Sequence, residues 1–423
     1  WTKLNSYLYY PVSSKNLAMV LTQSKDPRRR VAIVGGGLVG TLAALYFAKR
    51  DWNVDLFELR KALSTDPRIA GNQDSFSQKS INLALSTRGL SALANTGLNL
   101  DEIILNFVIP MKGRMIHLDK GELRSQPYGI FGECINSVGR KELLELLLNT
   151  TKKFTNIKIY FQHRMKTCNF DTGSLEFENW AEEVKVQHTA DLIIGADGAY
   201  SSVRSQLMRV VNMDYHQEYI THAYCELTIP PIIDDKGDSK FAMNPNHLHI
   251  WPRHTFMMIA LPNLNKSFTC TLFMPNESFD AIKTESELIK FFEVYFPDSI
   301  PLIGEQRLKE YFRNPRGSLM SIKCKPYHYR NRAIIIGDAA HCMVPFYGQG
   351  MNCGFQDVEL LDSVFEKFNV TAYNNDYLDL ALEEYTKFRQ EDALAICDLA
   401  MYNYVEMRSK VVNPWYLIKR KIE

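Results

Sequence analysis

The chain has 423 residues, with 49 Lys and Arg against 48 Asp and Glu, so its formal net charge is +1 at pH 7. This balance offers no general field to nucleic acid or to an anionic membrane surface, so we expect a small neutral or zwitterionic ligand and no nucleic-acid partner. The eight cysteines form no C-x-x-C pair and the ten histidines lack the spacing of a zinc site, so we expect reduced thiols and no metal.

The first regular pattern is a strand, a glycine-rich turn and a helix. Val31–Val34 is a β-branched run of the kind found in buried parallel strands. GGGLVG follows, with Gly35, Gly37 and Gly40 in the G-x-G-x-x-G frame, and a helical pattern continues to Arg50. Such glycines allow a tight turn, the approach of a pyrophosphate to the backbone, and close packing of the helix on the strand. The pattern predicts a dinucleotide site.

An acidic residue closes the second predicted strand, Asn53–Leu59. Glu58 falls about 20 residues after the glycines, where a carboxylate accepts hydrogen bonds from the ribose hydroxyls of an adenosine and repels a 2′-phosphate. We therefore expect FAD or NAD rather than NADP at this site. The alternative is a glycine turn in an ordinary α/β protein, which the glycines alone would leave open.

Two further apolar strands run into polar loops. Asp191–Arg204 leads from a strand into Asp197 and Gly198, which by themselves form an ordinary turn. Arg332–Asp357 brings Asp338 to the carboxyl end of a strand, where the ligands of open α/β sheets bind. Glycines surround the start of the next predicted helix, whose N–H groups can face an electron-rich ligand.

Together and in this order, the three motifs resemble the fingerprints of the flavoprotein aromatic hydroxylases. The resemblance implies an FAD whose ADP half lies at the first glycine loop, with Arg140 near the pyrophosphate. It implies that Asp197 lies in a segment serving both FAD and the nicotinamide cofactor, and that Asp338 binds the ribityl chain. The residues expected at the cofactor are Gly35, Gly37, Val39, Gly40, Phe57, Glu58, Arg60, Ala84, Arg140, Met165, Asp197, Asp338, Gly350, Met351 and Asn352.

From about Arg30 onward, segments outside these motifs resemble the branch of that family that hydroxylates kynurenine. They include PMKGRMIH (Pro110–His117), LHIWPR (Leu248–Arg253) and MYNYVEMR (Met401–Arg408). Kynurenine is an amino acid with an aromatic ketone, so its pocket needs a guanidinium for the carboxylate and an aromatic surface for the ring. The residues that the resemblance implies at L-kynurenine are Arg114, Tyr128, Phe273, Phe346, Asn403, Glu406 and Met407.

Each substrate residue also has a plain structural interpretation. Arg114 would be a solvated strand arginine, and Phe273 and Phe346 would be core residues. Asn403 and Glu406, one helical turn apart, would form an exposed pair. The resemblance favours the pocket, with Arg114 as the bidentate partner of the substrate carboxylate.

The implied activity is hydroxylation of L-kynurenine to 3-hydroxykynurenine in tryptophan catabolism. In that family NADPH binds transiently and reduces FAD, and O2 then adds at C4a of the flavin to form the hydroperoxide that hydroxylates the substrate. The protein chiefly excludes water, so we expect no obligatory general base. The alternatives are a flavin hydroxylase of another aromatic acid and a non-catalytic flavin-fold binding protein.

The expected fold class is α/β. A doubly wound Rossmann-type FAD-binding domain is assembled from residues 30–100, 134–210 and 320–365. An antiparallel β-sheet substrate domain is inserted as residues 101–133 and 211–319.

The two ends of the chain carry weaker expectations. Residues 1–29 are predicted to be an extension and residues 366–423 a helical segment. The resemblance implies that relatives continue into a hydrophobic anchor in the mitochondrial outer membrane, on its cytosolic side. No stretch here approaches the roughly 18 apolar residues of a spanning helix, so the chain itself is expected to be soluble. Residues 70–79 are predicted to be a mobile surface loop.

Overall fold

The structure, a computed structural model, describes residues 26–62, 82–119 and 121–409, and the backbone of residues 19–20. For Ser409 only the backbone is described. The loop predicted at residues 70–79, most of the N-terminal extension and the last fourteen residues lie outside these ranges.

A six-stranded sheet forms the core of the nucleotide-binding half. Val31, Ala32 and Ile33 have no accessible surface, because the helix Leu38–Lys49 packs on this sheet and residues of a separate four-stranded sheet contact its Asp55 and Phe57. All neighbouring strands are parallel except the first two, which are antiparallel. The sheet confirms the predicted α/β fold. In spatial order its strands are His328–Tyr329, Ala333–Ile335, Leu192–Gly195, Arg30–Val34, Asn53–Phe57 and Ile157–Tyr160.

The helix Leu38–Lys49 is buried almost all round, because it packs between this sheet and the helix Gly350–Lys367. A Cβ atom at Gly354 would lie 2.5 Å from Cγ2 of Val39, so a glycine is needed where the two helices meet. The other α-helices are Thr87–Ala94, Leu100–Leu105, Arg140–Thr151, Ser202–Leu207, Asn276–Ala281, Glu285–Tyr295, Ile300–Ile303, Glu305–Leu308, Asp338–His341 and Leu378–Ser409. Short 3₁₀ turns cover Pro297–Ser299, Lys309–Phe312 and Pro345–Tyr347.

A seven-stranded sheet forms the predicted β-rich insertion. Its strands pair antiparallel except for one parallel pair, His247–Arg253 with Gly113–His117. This pair departs from the expected antiparallel pattern because its strands come from separate stretches of the chain, and parallel neighbours need a long connection. In spatial order the strands are Gly317–Lys325, Asp214–Ile229, Phe268–Pro275, Phe256–Pro262, His247–Arg253, Gly113–His117 and Leu123–Pro127.

Three smaller sheets complete the β-structure of the described residues. The four-stranded one was not predicted, because a strand such as His163–Asn169 is mostly polar and shows no clear apolar alternation. Its strands are Met19–Val20, Val184–Thr189, Ser174–Asn179 and His163–Asn169. The three-stranded sheet contains Leu83–Leu85, Ile135–Val138 and Ile109–Met111. The two-stranded sheet contains Ile232–Ile233 and Ser239–Lys240.

The predicted C-terminal helix is present as Leu378–Ser409 and is 32 residues long. Across the part of the chain that the structure describes, no helix is both long and apolar enough to cross a membrane. In the same residues, no group of three or more His, Cys, Asp or Glu side chains is arranged to hold a metal ion. All eight cysteines are free thiols.

Candidate active site

The polar residues predicted at the ends of four strands meet at one edge of the six-stranded sheet. Gly35 follows the strand Arg30–Val34, Glu58 and Asp197 follow its two parallel neighbours, and Asp338 follows the parallel strand one place further along the sheet. Parallel strands present their carboxyl ends at the same edge, so the loops are adjacent. The structure thereby brings together motifs that are far apart in the chain.

The glycine turn has the geometry of an anion site. Gly35 has φ +107°, and a Cβ atom there would lie 2.3 Å from the carbonyl oxygen of Ala196. A Cβ atom at Gly40 would lie 1.9 Å from the carbonyl oxygen of Gly35. At Gly37 a Cβ atom would meet nothing within 4 Å, and no side chain caps the helix that begins there. The open N-terminus of this helix can therefore receive a phosphate.

Glu58 links the second strand to the glycine turn. Its Oε2 accepts a hydrogen bond from the backbone N of Gly36 at 2.8 Å. Its Oε1 accepts from the backbone N of Arg60 at 2.8 Å and from the Arg60 side chain at 3.1 Å. A carboxylate oxygen accepts about two hydrogen bonds, so Oε2 keeps one position for a ribose hydroxyl. The Arg60 guanidinium lies largely in solvent.

Asp338 and Arg140 lie close enough for their charges to interact, and Arg140 also interacts with Tyr224 of the seven-stranded sheet. Both side chains are exposed, although nearby protein atoms restrict the solvent around their charged groups, and among the described residues neither side chain has a hydrogen-bond partner. Burial raises the pKa of Asp338, and the charges of His341 and Arg140 oppose that rise. Asp338 Oδ1 lies 3.9 Å from the position of a Cβ atom at Gly350. An unpaired acceptor, an unpaired cation and an open helix end fit the polar chain and pyrophosphate of a dinucleotide.

Two predicted cofactor residues use their side chains to hold the protein together. The Asn352 amide donates to the carbonyls of Ala84 and Gly348 at 2.8 and 2.9 Å, and accepts from Ser86 N at 2.9 Å. The Asp197 carboxylate accepts from the backbone N atoms at the start of the helix Ser202–Leu207. A ligand contact from Asn352 would therefore come from its backbone at the helix start.

Two other predicted cofactor residues have buried side chains. The ring of Phe57 stacks between Tyr160, at 4.8 Å, and Phe177, at 3.9 Å between ring centroids. Met165 belongs to the same core. Val39 and Met351 are half-buried at the starts of their helices, and their place at the cofactor stays a prediction.

The structure brings two predicted substrate residues together. Arg114, on the strand Gly113–His117, donates from Nη1 to Oε1 of Glu406 at 3.1 Å. Only about a seventh of each side chain is accessible (14% and 15%), so the two charges neutralise each other away from bulk water. The Nε of Arg114 is buried and has no partner among the described residues. Tyr128 is half-buried just after the adjacent strand, Leu123–Pro127.

Aromatic side chains adjoin the helix that carries Glu406. The rings of Phe273 and Phe346 lie 4.9 Å apart, and Tyr404 stacks on Phe346 at 3.9 Å. Asn403 donates to the carbonyl oxygen of Phe346, and Met407 is buried beside it. The sequence did not single out Tyr404, and its position one residue after Asn403 was the available signal.

A buried charged cluster was also missed. Asp357, His341 and Arg389 have at most 2% of their side chains accessible and are joined by hydrogen bonds. Asp357 is the last residue of the glycine-containing segment Arg332–Asp357, and this position was the available signal in the sequence. Arg389 lies on another helix with no motif of its own, so only the tertiary structure reveals the cluster.

Comparison with known proteins identifies the family. Residues 28–391 match the family model described as FAD binding domain. Kynurenine 3-monooxygenase of Drosophila willistoni is 49% identical over 410 residues, which are 96% of this chain and 86% of that protein. The enzyme of the same name from Sus scrofa is 46% identical over 95% of this chain and 81% of its own length. This chain belongs to the kynurenine 3-monooxygenase family.

Solved structures share the fold at low sequence identity. A 2-methyl-3-hydroxypyridine-5-carboxylic acid oxygenase has a TM-score of 0.70 and 18% identity, covering 92% of this chain and 95% of its own. Klebsiella pneumoniae HpxO, complexed with FAD and uric acid, has a TM-score of 0.69 and 18% identity, covering 93% of each chain. With its family, the chain is an FAD-dependent monooxygenase, as predicted.

Proposed function

We propose that this protein hydroxylates L-kynurenine to 3-hydroxykynurenine with NADPH and O2, and that Arg114 and Glu406 bind the amino-acid end of the substrate. The observation that carries the proposal is the half-buried ion pair of these two residues, because the helix that carries Glu406 also contacts Phe346 through Asn403 and Tyr404.

A zwitterionic amino acid matches this pair. Its carboxylate would bind the Arg114 guanidinium, and its ammonium group would bind the Glu406 carboxylate. The guanidinium has several N–H groups and its hydrogen bond to Glu406 uses only Nη1, so it need not leave Glu406 to bind the substrate. The paired charges are already partly desolvated, which lowers the cost of burying a third and a fourth charge beside them.

The residues at the sheet edge would hold FAD. The helix start at Gly37 fits the pyrophosphate, the free acceptor position of Glu58 fits the adenosine ribose, and Asp338 fits a ribityl hydroxyl. When bound, FAD supplies the redox chemistry that couples the oxidation of NADPH to the use of O2. The chain's own residues would bind and orient the substrate and exclude water from the proposed substrate site.

A flavin hydroxylase of another aromatic acid is the second candidate. A hydroxybenzoate carries a carboxylate and no ammonium group, so it would use Arg114 and leave Glu406 unexplained. The half-buried Glu406 carboxylate therefore favours an α-amino acid. A non-catalytic flavin-fold protein is disfavoured by the family.

Product analysis tests the proposal directly. The FAD-loaded protein is mixed with L-kynurenine, NADPH and ¹⁸O2, and the products are identified by mass spectrometry. We expect 3-hydroxykynurenine with one ¹⁸O atom, and none when NADPH or O2 is omitted. The same assay with 4-hydroxybenzoate serves as the matched control. NADPH oxidation that yields only hydrogen peroxide from kynurenine, or efficient hydroxylation of the benzoate, would contradict the proposal.

The predicted domain boundaries and the location at the cytosolic face of the mitochondrial outer membrane also stay proposals. Both rest on the resemblance to the family. Fractionation of cells expressing the full-length natural protein would test the location, with recovery away from mitochondria as the contrary result.

A further inference from the structure

One buried carboxylate contacts three elements around the proposed flavin site. Asp357 lies in the helix Gly350–Lys367 and has no accessible surface. Its Oδ2 accepts from the backbone N of Gly337 at 2.6 Å and from Nε2 of His341 at 2.7 Å. Its Oδ1 accepts from Nε of Arg389 at 2.7 Å.

The first two hydrogen bonds hold both ends of the turn that carries Asp338. Gly337 precedes the short helix Asp338–His341, and His341 is its last residue. Gly337 has φ +59° and its α-carbon faces Val39, since a Cβ atom there would lie 3.3 Å from a methyl group of that residue. One oxygen atom of Asp357 therefore bonds to both ends of the turn that carries Asp338.

The third hydrogen bond ties this turn to two helices. Arg389 lies on the helix Leu378–Ser409 and donates from Nη2 to the carbonyl of Cys353 at 3.1 Å. Its Nη1 donates to the Gln356 side chain at 3.0 Å. The guanidinium thus holds the first turns of the helix that begins at Gly350, which lies close to Asp338.

A buried charge cluster is poorly explained by stability alone. Removing two charges from water costs several kcal/mol, and well-packed apolar residues often stabilise a core equally well. His341 and Arg389 hold the pKa of Asp357 well below its usual range despite the burial that raises it, so the carboxylate is charged. An ionised acceptor fixes its donors in direction more strongly than an apolar contact does.

We propose that Asp357, with His341 and Arg389, is the positioning unit of the flavin site: it sets the Asp338 turn and the start of the helix Gly350–Lys367 in the geometry that binds FAD. The inference rests on the proposed function for the identity of the ligand. Asp357 touches neither cofactor nor substrate in this account and acts through Gly337, His341 and Arg389.

The test compares His341→Gln with His341→Met. The two replacements have nearly the same shape, but only the glutamine amide can donate to Asp357 from the position of Nε2. FAD-depleted protein is titrated with FAD, and the dissociation constant is read from flavin fluorescence, with circular dichroism of the bound flavin as a second readout. We expect the methionine variant to bind FAD about tenfold or more weakly than the glutamine variant, or about 1.4 kcal/mol. Its flavin circular dichroism should change as well.

The matched control is Asp362→Asn. Asp362 lies on the same helix as Asp357, Gly350–Lys367, and the change removes its half-buried ion pair with Arg50. It should leave FAD affinity unchanged. Equal FAD affinity and equal flavin circular dichroism in the two His341 variants, whatever their melting temperatures, would overturn the inference. If they do not fold, Arg389→Lys keeps the charge and loses the fork, and FAD affinity equal to wild type would be the contrary result. Wild-type protein that binds FAD without hydroxylating kynurenine would contradict the proposed function and leave this comparison valid.

Discussion

Arg114 and Glu406 lie 292 positions apart in the chain and meet at 3.1 Å. An arginine on a strand and a glutamate on a helix are usually separate surface residues. Their contact shows that these two are not, because each one partners the other's charge. As a half-buried pair they place a positive and a negative group side by side, which is the arrangement that the proposed amino-acid site requires. At this scale, function depends on which side chains the fold makes neighbours.

We expect Arg114→Ala to weaken kynurenine binding by about 2 kcal/mol or more, because a charge-assisted pair is lost and the Glu406 charge stays unpaired. Binding is measured by titrating FAD-loaded protein with kynurenine and following the flavin absorbance. Arg124→Ala removes an exposed arginine of the adjacent strand and serves as the control. Unchanged kynurenine affinity in Arg114→Ala would contradict the assigned contact.

Another residue-scale prediction concerns His249, on the strand His247–Arg253 that pairs with the strand of Arg114. Burial lowers its pKa to about 4, and its ring nitrogens contact His117 at 2.9 Å and the carbonyl of Asn244 at 2.8 Å. The folded protein therefore keeps this ring neutral below pH 6.5, where the unfolded chain takes up a proton. Stability that is present above about pH 6.5 should be lost as the pH falls toward 4, at up to about 1.4 kcal/mol per pH unit.

Urea unfolding of wild type and His249→Gln at several pH values between 7 and 4.5 measures this loss. The difference between the urea midpoints of wild type and variant should shrink as the pH falls, because the variant lacks the imidazole that must stay unprotonated in the folded protein. A difference for His249→Gln that does not vary with pH would refute the assignment.

At the scale of elements, the site depends on how strands and helices end. Four strands deliver their loops to one edge of a sheet, and two helices begin there without a capping side chain. Uncapped N–H groups are costly when they lack partners, so a site of this kind is completed by an anionic ligand.

Two glycines of the first turn separate folding from binding. Gly40→Ala should destabilise even the FAD-free protein, because the new methyl group would lie 1.9 Å from the carbonyl oxygen of Gly35 and force the helix outward. Gly37→Ala should leave the melting temperature of the FAD-free protein unchanged, because its methyl group meets nothing within 4 Å.

The same Gly37→Ala change should weaken FAD binding about tenfold or more, since the methyl group would occupy the space of the phosphate. Thermal melts of FAD-free protein and FAD titrations check both statements. If Gly37→Ala bound FAD like wild type, the pyrophosphate would have to lie elsewhere.

At the scale of the whole molecule, one helix contacts both the proposed cofactor site and the proposed substrate site. Leu378–Ser409 carries Arg389, which is bonded to the Asp338 turn through Asp357, and Glu406, which is paired with Arg114. A ligand that binds between Arg114 and Glu406 would therefore contact the same helix that, through Arg389 and Asp357, contacts the proposed cofactor site.

We expect kynurenine to accelerate NADPH oxidation by about tenfold or more, or about 1.4 kcal/mol in the barrier, because substrate and cofactor sites share this helix. The rate of NADPH absorbance loss is measured with and without kynurenine. Glu406→Gln should reduce the acceleration at subsaturating kynurenine. Equal rates with and without kynurenine in wild-type protein would exclude this coupling.

Much of the fold and of the cofactor chemistry could be predicted from sequence. The strand, glycine turn, helix and terminal acid from Val31 to Glu58 are local patterns in which each residue type has one dominant physical use. The placement of Asp338 at a strand end follows from the same logic. The family followed from segments spread over the chain, and the comparisons confirm it.

The tertiary structure decided which atoms are free to act. Asn352 and Phe57 were predicted at the cofactor, yet the amide of Asn352 binds neighbouring loops and the ring of Phe57 is stacked inside the core. A side chain has few hydrogen-bonding positions, and only its neighbours show whether they are already used. The Asp357 cluster and the Arg114–Glu406 pair likewise join residues that no local pattern links. Sequence alone determined the kind of site, and long-range packing determined which side-chain atoms in it remain available to a ligand.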